Sequence, residues 1–242
     1  MATFSDVRRI TGWQRPGGKH GTAPAEVLPG VFTAHYHDID SREKLLVALG
    51  GVDPATTPVL VVNSAPCQCE ARTGFFGTGV EVLCIDLEDD PDARKKFDGG
   101  KEAALSDCAR GDADVPAAKR CAGDVKVHFD AVSTAMGATL AAGGVVLCHC
   151  HASISRSAAF IVAHMVRTGC AGAEAATVVG ATAAVKAKWA ATWPCDAFVY
   201  QLLEYERELA AARRATSVAW ASFALGFALA LGASKVHKCC NK

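Results

Sequence analysis

The stretch His149-Cys150-His151-Ala152-Ser153-Ile154-Ser155-Arg156-Ser157 decides the reading of the fold. Before it runs Gly144-Val145-Val146-Leu147-Cys148, a short apolar segment of the kind that forms a buried strand. After it, Ser157 to Val166 carries apolar residues at helical spacing. A cysteine, five residues and an arginine therefore fill the turn between a strand and the start of a helix. That arrangement suits a phosphate. Backbone N–H groups of the turn and the unsatisfied donors of the first helical turn face an anion there, with the helix dipole behind them. Arg156 adds a bidentate, charge-assisted clamp on two oxygens. The same positive field favours a thiolate at Cys150, the form that acts as a nucleophile.

The pattern His149-Cys150, five residues, Arg156-Ser157 resembles the signature of cysteine-dependent protein phosphatases. The surrounding Val145-Val146-Leu147-Cys148 and Ile154-Ser155-Arg156-Ser157-Ala158 are most similar to the dual-specificity branch. The resemblance implies that Cys150 is the nucleophile and that Arg156 and the loop residues His151, Ala152, Ser153, Ile154 and Ser155 bind the phosphoryl group. It further implies that His149 orders the loop and tunes the thiolate, and that Ser157 helps the thiolate leave phosphocysteine. One position departs from the family pattern. Glycine usually stands three residues after the cysteine, and here the residue is Ser153. A side chain at a positive φ costs about 1–3 kcal/mol, so serine either strains the loop or contributes a hydrogen bond of its own.

Outward from this stretch, 242 residues suffice for one sizeable domain with tails. Half of the chain is hydrophobic and the formal net charge is zero, so nothing global argues for nucleic acid. The 11 cysteines are odd in number and irregularly spaced, as free thiols in a reducing, cytoplasmic compartment would be. Cys67-Gln68-Cys69 has no matching second pair, so no zinc site is expected. Residues 1–25 are rich in Gly, Pro and basic side chains, Arg8, Arg9 and Arg15 among them, and read as a loose leader. Val27–Phe32 reads as a strand with a turn, Asp40–Leu49 as a helix, and Pro58–Asn63 and Val80–Leu87 as buried strands. Val127–Ala142 reads as a helix leading into the strand before Cys150, and Ala-rich helices follow, the last over Asp196–Arg214. Alternating strands and helices predict an α/β fold, a mostly parallel sheet with helices on both faces. The family resemblance spans residues 26–214. Leu28-Pro29-Gly30-Val31-Phe32 looks like the family's opening strand, Pro194 like the proline before its final helix. Phe198 to Arg207 is close to that helix in mitogen-activated-protein-kinase-phosphatase-like members.

The chemistry needs a proton donor for the leaving oxygen. Glu88-Asp89-Asp90-Pro91-Asp92 follows the Val80–Leu87 strand, and ligands of open α/β sheets sit beyond the carboxyl ends of strands. By resemblance the acid is Asp89, with Asp90 and Asp92 as alternatives. Asp89 stands 61 positions before Cys150, more than the family usually has, which points to an insertion near 97–124. Cys84 and Cys148 read as strand residues near the site, either buried hydrophobes or thiols able to trap an oxidised Cys150.

Ala215 to Ser234 contains no charged residue and is flanked by Arg213, Arg214, Lys235 and Lys238. As a helix it would be about 30 Å long, enough to cross a bilayer. It reads as a tail anchor on an intracellular membrane, with a packed helix as the alternative; Cys239-Cys240 would be candidates for palmitate. Together these readings lead to an expectation of a dual-specificity phosphatase that needs no metal or organic cofactor. Its partners would be proteins bearing phosphotyrosine and phosphoserine/threonine, a kinase among the candidates. Two alternatives are a phosphatase of phosphoinositides or other non-protein phosphates, and a weakly catalytic phospho-binding module.

Overall fold

The computed structural model describes residues 2–12, 23–66, 68–87, 124–170, 172 and 176–237, with side chains omitted at 219 and 221–237. Asp89, Asp90, Asp92, residues 97–123, Cys67 and Cys239-Cys240 lie outside the described residues.

The chain opens with a helix where the sequence suggested a loose leader. Helix α1 (Phe4–Thr11) begins at Thr3, whose side chain accepts from the Asp6 amide while Asp6 bonds back to the Thr3 amide. This reciprocal cap satisfies two donors that a bare helix start leaves open. Val7 and Arg8 are fully buried, so burial and capping together fix the segment.

Strands β1 (Ala25–Leu28) and β2 (Val31–Thr33) form an antiparallel hairpin around Pro29-Gly30. Gly30 has a φ of +75°, and a Cβ there would lie 2.9 Å from the Leu140 side chain, so the turn requires glycine. Helix α2 (Arg42–Ala48) starts two residues later than its apolar spacing suggests, because Ser41 caps the Lys44 amide. Strands β3 (Val59–Asn63) and β4 (Val80–Cys84) are parallel to each other. Pairing on β4 ends at Cys84, opposite Asn63, since β3 is its one neighbour and stops there. Ile85 adds a last bond to the Asn63 carbonyl at 2.9 Å.

Helix α3 (Lys126–Ala141) leads into β5 (Val145–His149), and the sheet order is β1-β2-β5-β3-β4. Strand β5 is central, parallel to both β2 and β3. Alternation sorts the core into two layers. Val59, Val61, Val80, Val82 and Leu147 join Leu45, Leu49 and Phe76 in one cluster, on the α2 side. One residue on, Cys148 sits against Met136 of α3. Helix α4 (Arg156–Thr168) packs on α3 through an edge-on pair of Phe129 and Phe160, and ends at Gly169 in the left-handed region. Helix α5 (Val178–Lys188) is capped by Thr177. The α/β architecture with a mostly parallel central sheet is therefore as the sequence implies.

The last helix, α6, runs from Asp196 to His237 without the break expected at Arg214. No glycine or proline in a helix-ending position interrupts Arg213–Ser234, so nothing local stops it. The chain divides into two compact units, Met1–Tyr205 and Glu206–Lys242. In the second, Val218 and Trp220 are exposed, and the Thr216 and Ser217 hydroxyls bond back to the carbonyls four residues earlier. Among the described residues no helix is long and apolar enough to cross a membrane. Most of the apolar run lies at 221–234, where side chains are outside that description.

Candidate active site

Cys150 follows the last residue of β5, and Arg156 is the first residue of α4. The five residues between them form a loop at the carboxyl edge of the central strand, as the strand–turn–helix reading requires. The α4 N-terminus carries no side-chain cap: Ser155 precedes it without capping it. The positive end of the helix dipole faces the loop there, a setting that favours an anion. Cys150 is 2 % exposed, packed with Ala65, Cys69 and Tyr36. The Ser157 hydroxyl donates to its sulfur at 3.7 Å.

Arg156 is buried and held from two sides. Its Nη1 donates to the Leu87 carbonyl at 3.0 Å and its Nη2 to Gln68 Oε1 at 2.8 Å. Leu87 and Gln68 lie on the segments leaving β4 and β3, so β3, β4 and β5 deliver chain to one edge. The guanidinium is fixed in position before any anion arrives.

Ser153 resolves the departure from glycine. It has a φ of +49°, the one non-glycine residue at positive φ among the described residues. Its hydroxyl donates to the Ala34 carbonyl and accepts from the Cys150 amide at 3.3 Å. The strained backbone is thus offset by hydrogen bonds that glycine cannot make. The Ser153 carbonyl also accepts from Trp189 Nε1 at 2.8 Å.

His149 is fully buried and its Nδ1–H donates to the Cys150 carbonyl at 3.2 Å. Burial, reinforced by the nearby Arg156 charge and opposed by that hydrogen bond, pushes its pKa down to about 4. It is a neutral imidazole at physiological pH, stacked beside Tyr36 at 6.1 Å, and suited to ordering the loop. His151 is exposed within the loop, and its carbonyl accepts from the Tyr36 amide at 3.2 Å. Burial of part of its ring, with His37, Arg156 and His35 close by, lowers its pKa. The ring meets His37 edge-on at 5.8 Å.

Residues 102–208 match the family model described as "Dual specificity phosphatase, catalytic domain". The chain contains a dual-specificity phosphatase catalytic domain. Solved structures share its fold. Human DUSP28 is 22% identical with a TM-score of 0.51, the match covering 80% of this chain and 99% of that one. A human tyrosine phosphatase-like serine/threonine/tyrosine-interacting protein is 23% identical with a TM-score of 0.53, covering 76% and 95%. PTPMT1 in complex with PI(5)P is 12% identical with a TM-score of 0.53, covering 79% and 99%. No curated protein matches the chain. By class the phosphatase domain is a phosphoric monoester hydrolase.

Within the phosphatase domain the fold gathers Cys150, Arg156, Ser157, His149 and loop residues 151–155 at one place. Asp89 lies outside the described residues. Of the two cysteines read from strand positions, Cys148 is buried and burial raises its thiol pKa to about 12. Cys84, in contrast, is exposed, because β4 is an edge strand. The thiol packed with Cys150 is Cys69. The sequence reading missed Gln68, Cys69, Tyr36 and Trp189. The carboxyl-edge rule that singled out the β4 exit applies equally to the β3 exit, and would have pointed to Gln68 and Cys69. Trp189 had no comparable signal, since its contact with Ser153 depends on how α5 ends.

Proposed function

We propose that this domain hydrolyses phosphotyrosine and phosphoserine/threonine in proteins through a phosphocysteine intermediate. The observation that carries the reading is the placement of Cys150 Sγ beside the Ser157 hydroxyl, with Arg156 pre-fixed by Leu87 and Gln68. The Cys150 thiolate attacks phosphorus and forms the S–P bond as the ester P–O bond breaks. Asp89 protonates the departing oxygen. Arg156, the loop amides and the α4 N-terminus hold the three equatorial oxygens as charge redistributes. Water then attacks phosphocysteine, Asp89 takes its proton, and Ser157 donates to the departing thiolate, releasing inorganic phosphate. Support for Asp89 comes from Leu87, whose carbonyl bonds Arg156. Leu87 stands two residues before Asp89 in the sequence, which motivates testing that position first.

Turnover of phosphotyrosine and phosphothreonine peptides, an aryl phosphate and phosphoinositides tests the reading. Wild type turns over both peptides, and Cys150→Ser turns over nothing while still binding them. Asp89→Ala loses about 10²–10⁴-fold in kcat on peptides and less on the aryl phosphate, whose good leaving group needs little protonation. Loss of that size at Asp90 or Asp92 instead moves the acid. Phosphoinositide turnover exceeding peptide turnover would favour the lipid reading, which the shared fold of PTPMT1 motivates. Against it, the loop offers His151 and no lysine to a multiply charged headgroup.

A further inference from the structure

Helix α1 lies far from Cys150 in sequence, yet a continuous set of bonds joins it to the phosphate loop. The link is the irregular segment 189–195 between α5 and α6. Three consecutive loop residues are tied to it. The Ser153 carbonyl accepts from Trp189 Nε1 at 2.8 Å, and the Ile154 carbonyl accepts from the Trp193 amide at 2.8 Å. The Ser155 hydroxyl accepts from the Cys195 amide at 2.9 Å. The same segment is gripped from the other side by Arg8. Its guanidinium donates to the Pro194 carbonyl at 2.8 Å, pairs with Asp196, and lies 4.3 Å over the Trp193 ring. Trp193 Nε1 in turn donates to the Gly12 carbonyl at 3.1 Å. Arg8 is 1 % exposed.

A charge so buried is retained at a solvation cost, and outside α1 it bonds Pro194, in the segment that holds the loop, and Asp196, the residue that follows that segment. The loop itself carries strain at Ser153, so it keeps its shape only while its neighbours hold it. We propose that Arg8 is a positioning residue of the phosphate site, and that α1 docking and phosphate binding are thermodynamically coupled. The proposal rests on the reading of 150–156 as the phosphate loop. Coupling is reciprocal: the factor by which docked α1 tightens phosphate binding is the factor by which phosphate tightens α1 docking.

Hydrogen exchange on the full-length chain, with and without saturating inorganic phosphate, tests this without a variant. Phosphate slows exchange of the Phe4–Thr11 and 189–199 amides by about tenfold and leaves α2 unchanged. Protection of 150–157 with none in α1 overturns the proposal. Absence of protection even at 150–157 overturns the phosphate-loop reading and this proposal with it. Variants give a second readout. Arg8→Met, which keeps the apolar stem, raises the inhibition constant of phosphate and the KM for an aryl phosphate by about tenfold. Arg8→Lys recovers part of that loss. Leu45→Ala, a cavity beneath α2 and away from α1, lowers the melting temperature and leaves both constants alone. Equal effects of Arg8→Met and Leu45→Ala on phosphate inhibition would make Arg8 a stability residue only.

Discussion

Ser153 and His149 show how single side chains set the loop. At Ser153 two effects of similar size oppose each other. Relieving a positive φ by Ser153→Gly recovers about 1–2 kcal/mol, while losing the hydroxyl's bonds to Ala34 and Cys150 costs about 1–3 kcal/mol. Ser153→Ala keeps the φ and loses the bonds. Urea unfolding should therefore rank stability Ser153 highest or level with glycine, and alanine lowest by about 1 kcal/mol. Alanine matching wild type would show the hydroxyl bonds contribute nothing. For His149 the folded pKa of about 4 lies below its ordinary value. The unfolded chain then binds the extra proton between those two values, so stability is full above about pH 6.5 and falls as pH drops towards 4. From pH 6.5 to 5 the loss from this residue is about 2 kcal/mol. His149→Phe, which preserves a ring beside Tyr36, should flatten the pH dependence of the urea midpoint over that interval by about one proton. An unchanged slope would place the buried proton elsewhere.

At the scale of elements, the sequence disclosed those whose signals are local. Five residues of β3 are all buried, and their continuous apolar run announced a parallel strand. Cys150 and Arg156 were legible because strand, turn and helix follow one another without interruption. Helix α1 was not, although Thr3 and Asp6 have the spacing of a capping box, because its charge made Arg8 look like a solvated residue. Only the fold supplies Asp196 as its partner. Gln68 was hidden for a similar reason: its contact with Arg156 joins the β3 exit to the α4 start across the sheet edge. Helix α6 is the other element that ran past its expected end. We propose that its uncharged stretch, 215–234, inserts in a bilayer and leaves the catalytic unit in the cytosol. The exposure of Val218 and Trp220 supports this. Deleting 215–242 should move the protein from the membrane pellet to the supernatant after alkaline washing, with aryl phosphate turnover unchanged. Full-length protein found in the supernatant would sink the anchor, and an unfolded truncate would make the stretch a packing helix.

For the whole molecule, the sheet order determines when folding can occur. The β1–β2 hairpin and the β3–β4 pair form from neighbouring sequence, but they meet only through β5. Val31 pairs with Val146 and Val59 with Val145, so the joining contacts span most of the domain. Such non-local closure is slow, on the order of milliseconds to seconds or longer. During synthesis, β3 emerges with an apolar edge that stays bare until β5 follows, the interval in which a nascent chain is most open to misassembly. A chain ending at Gly143 should show no cooperative unfolding, whereas one ending at Glu206 should unfold in a single transition. A cooperative transition in the shorter chain would mean that the first four strands can assemble without their keystone, and that the timing of β5 does not limit folding.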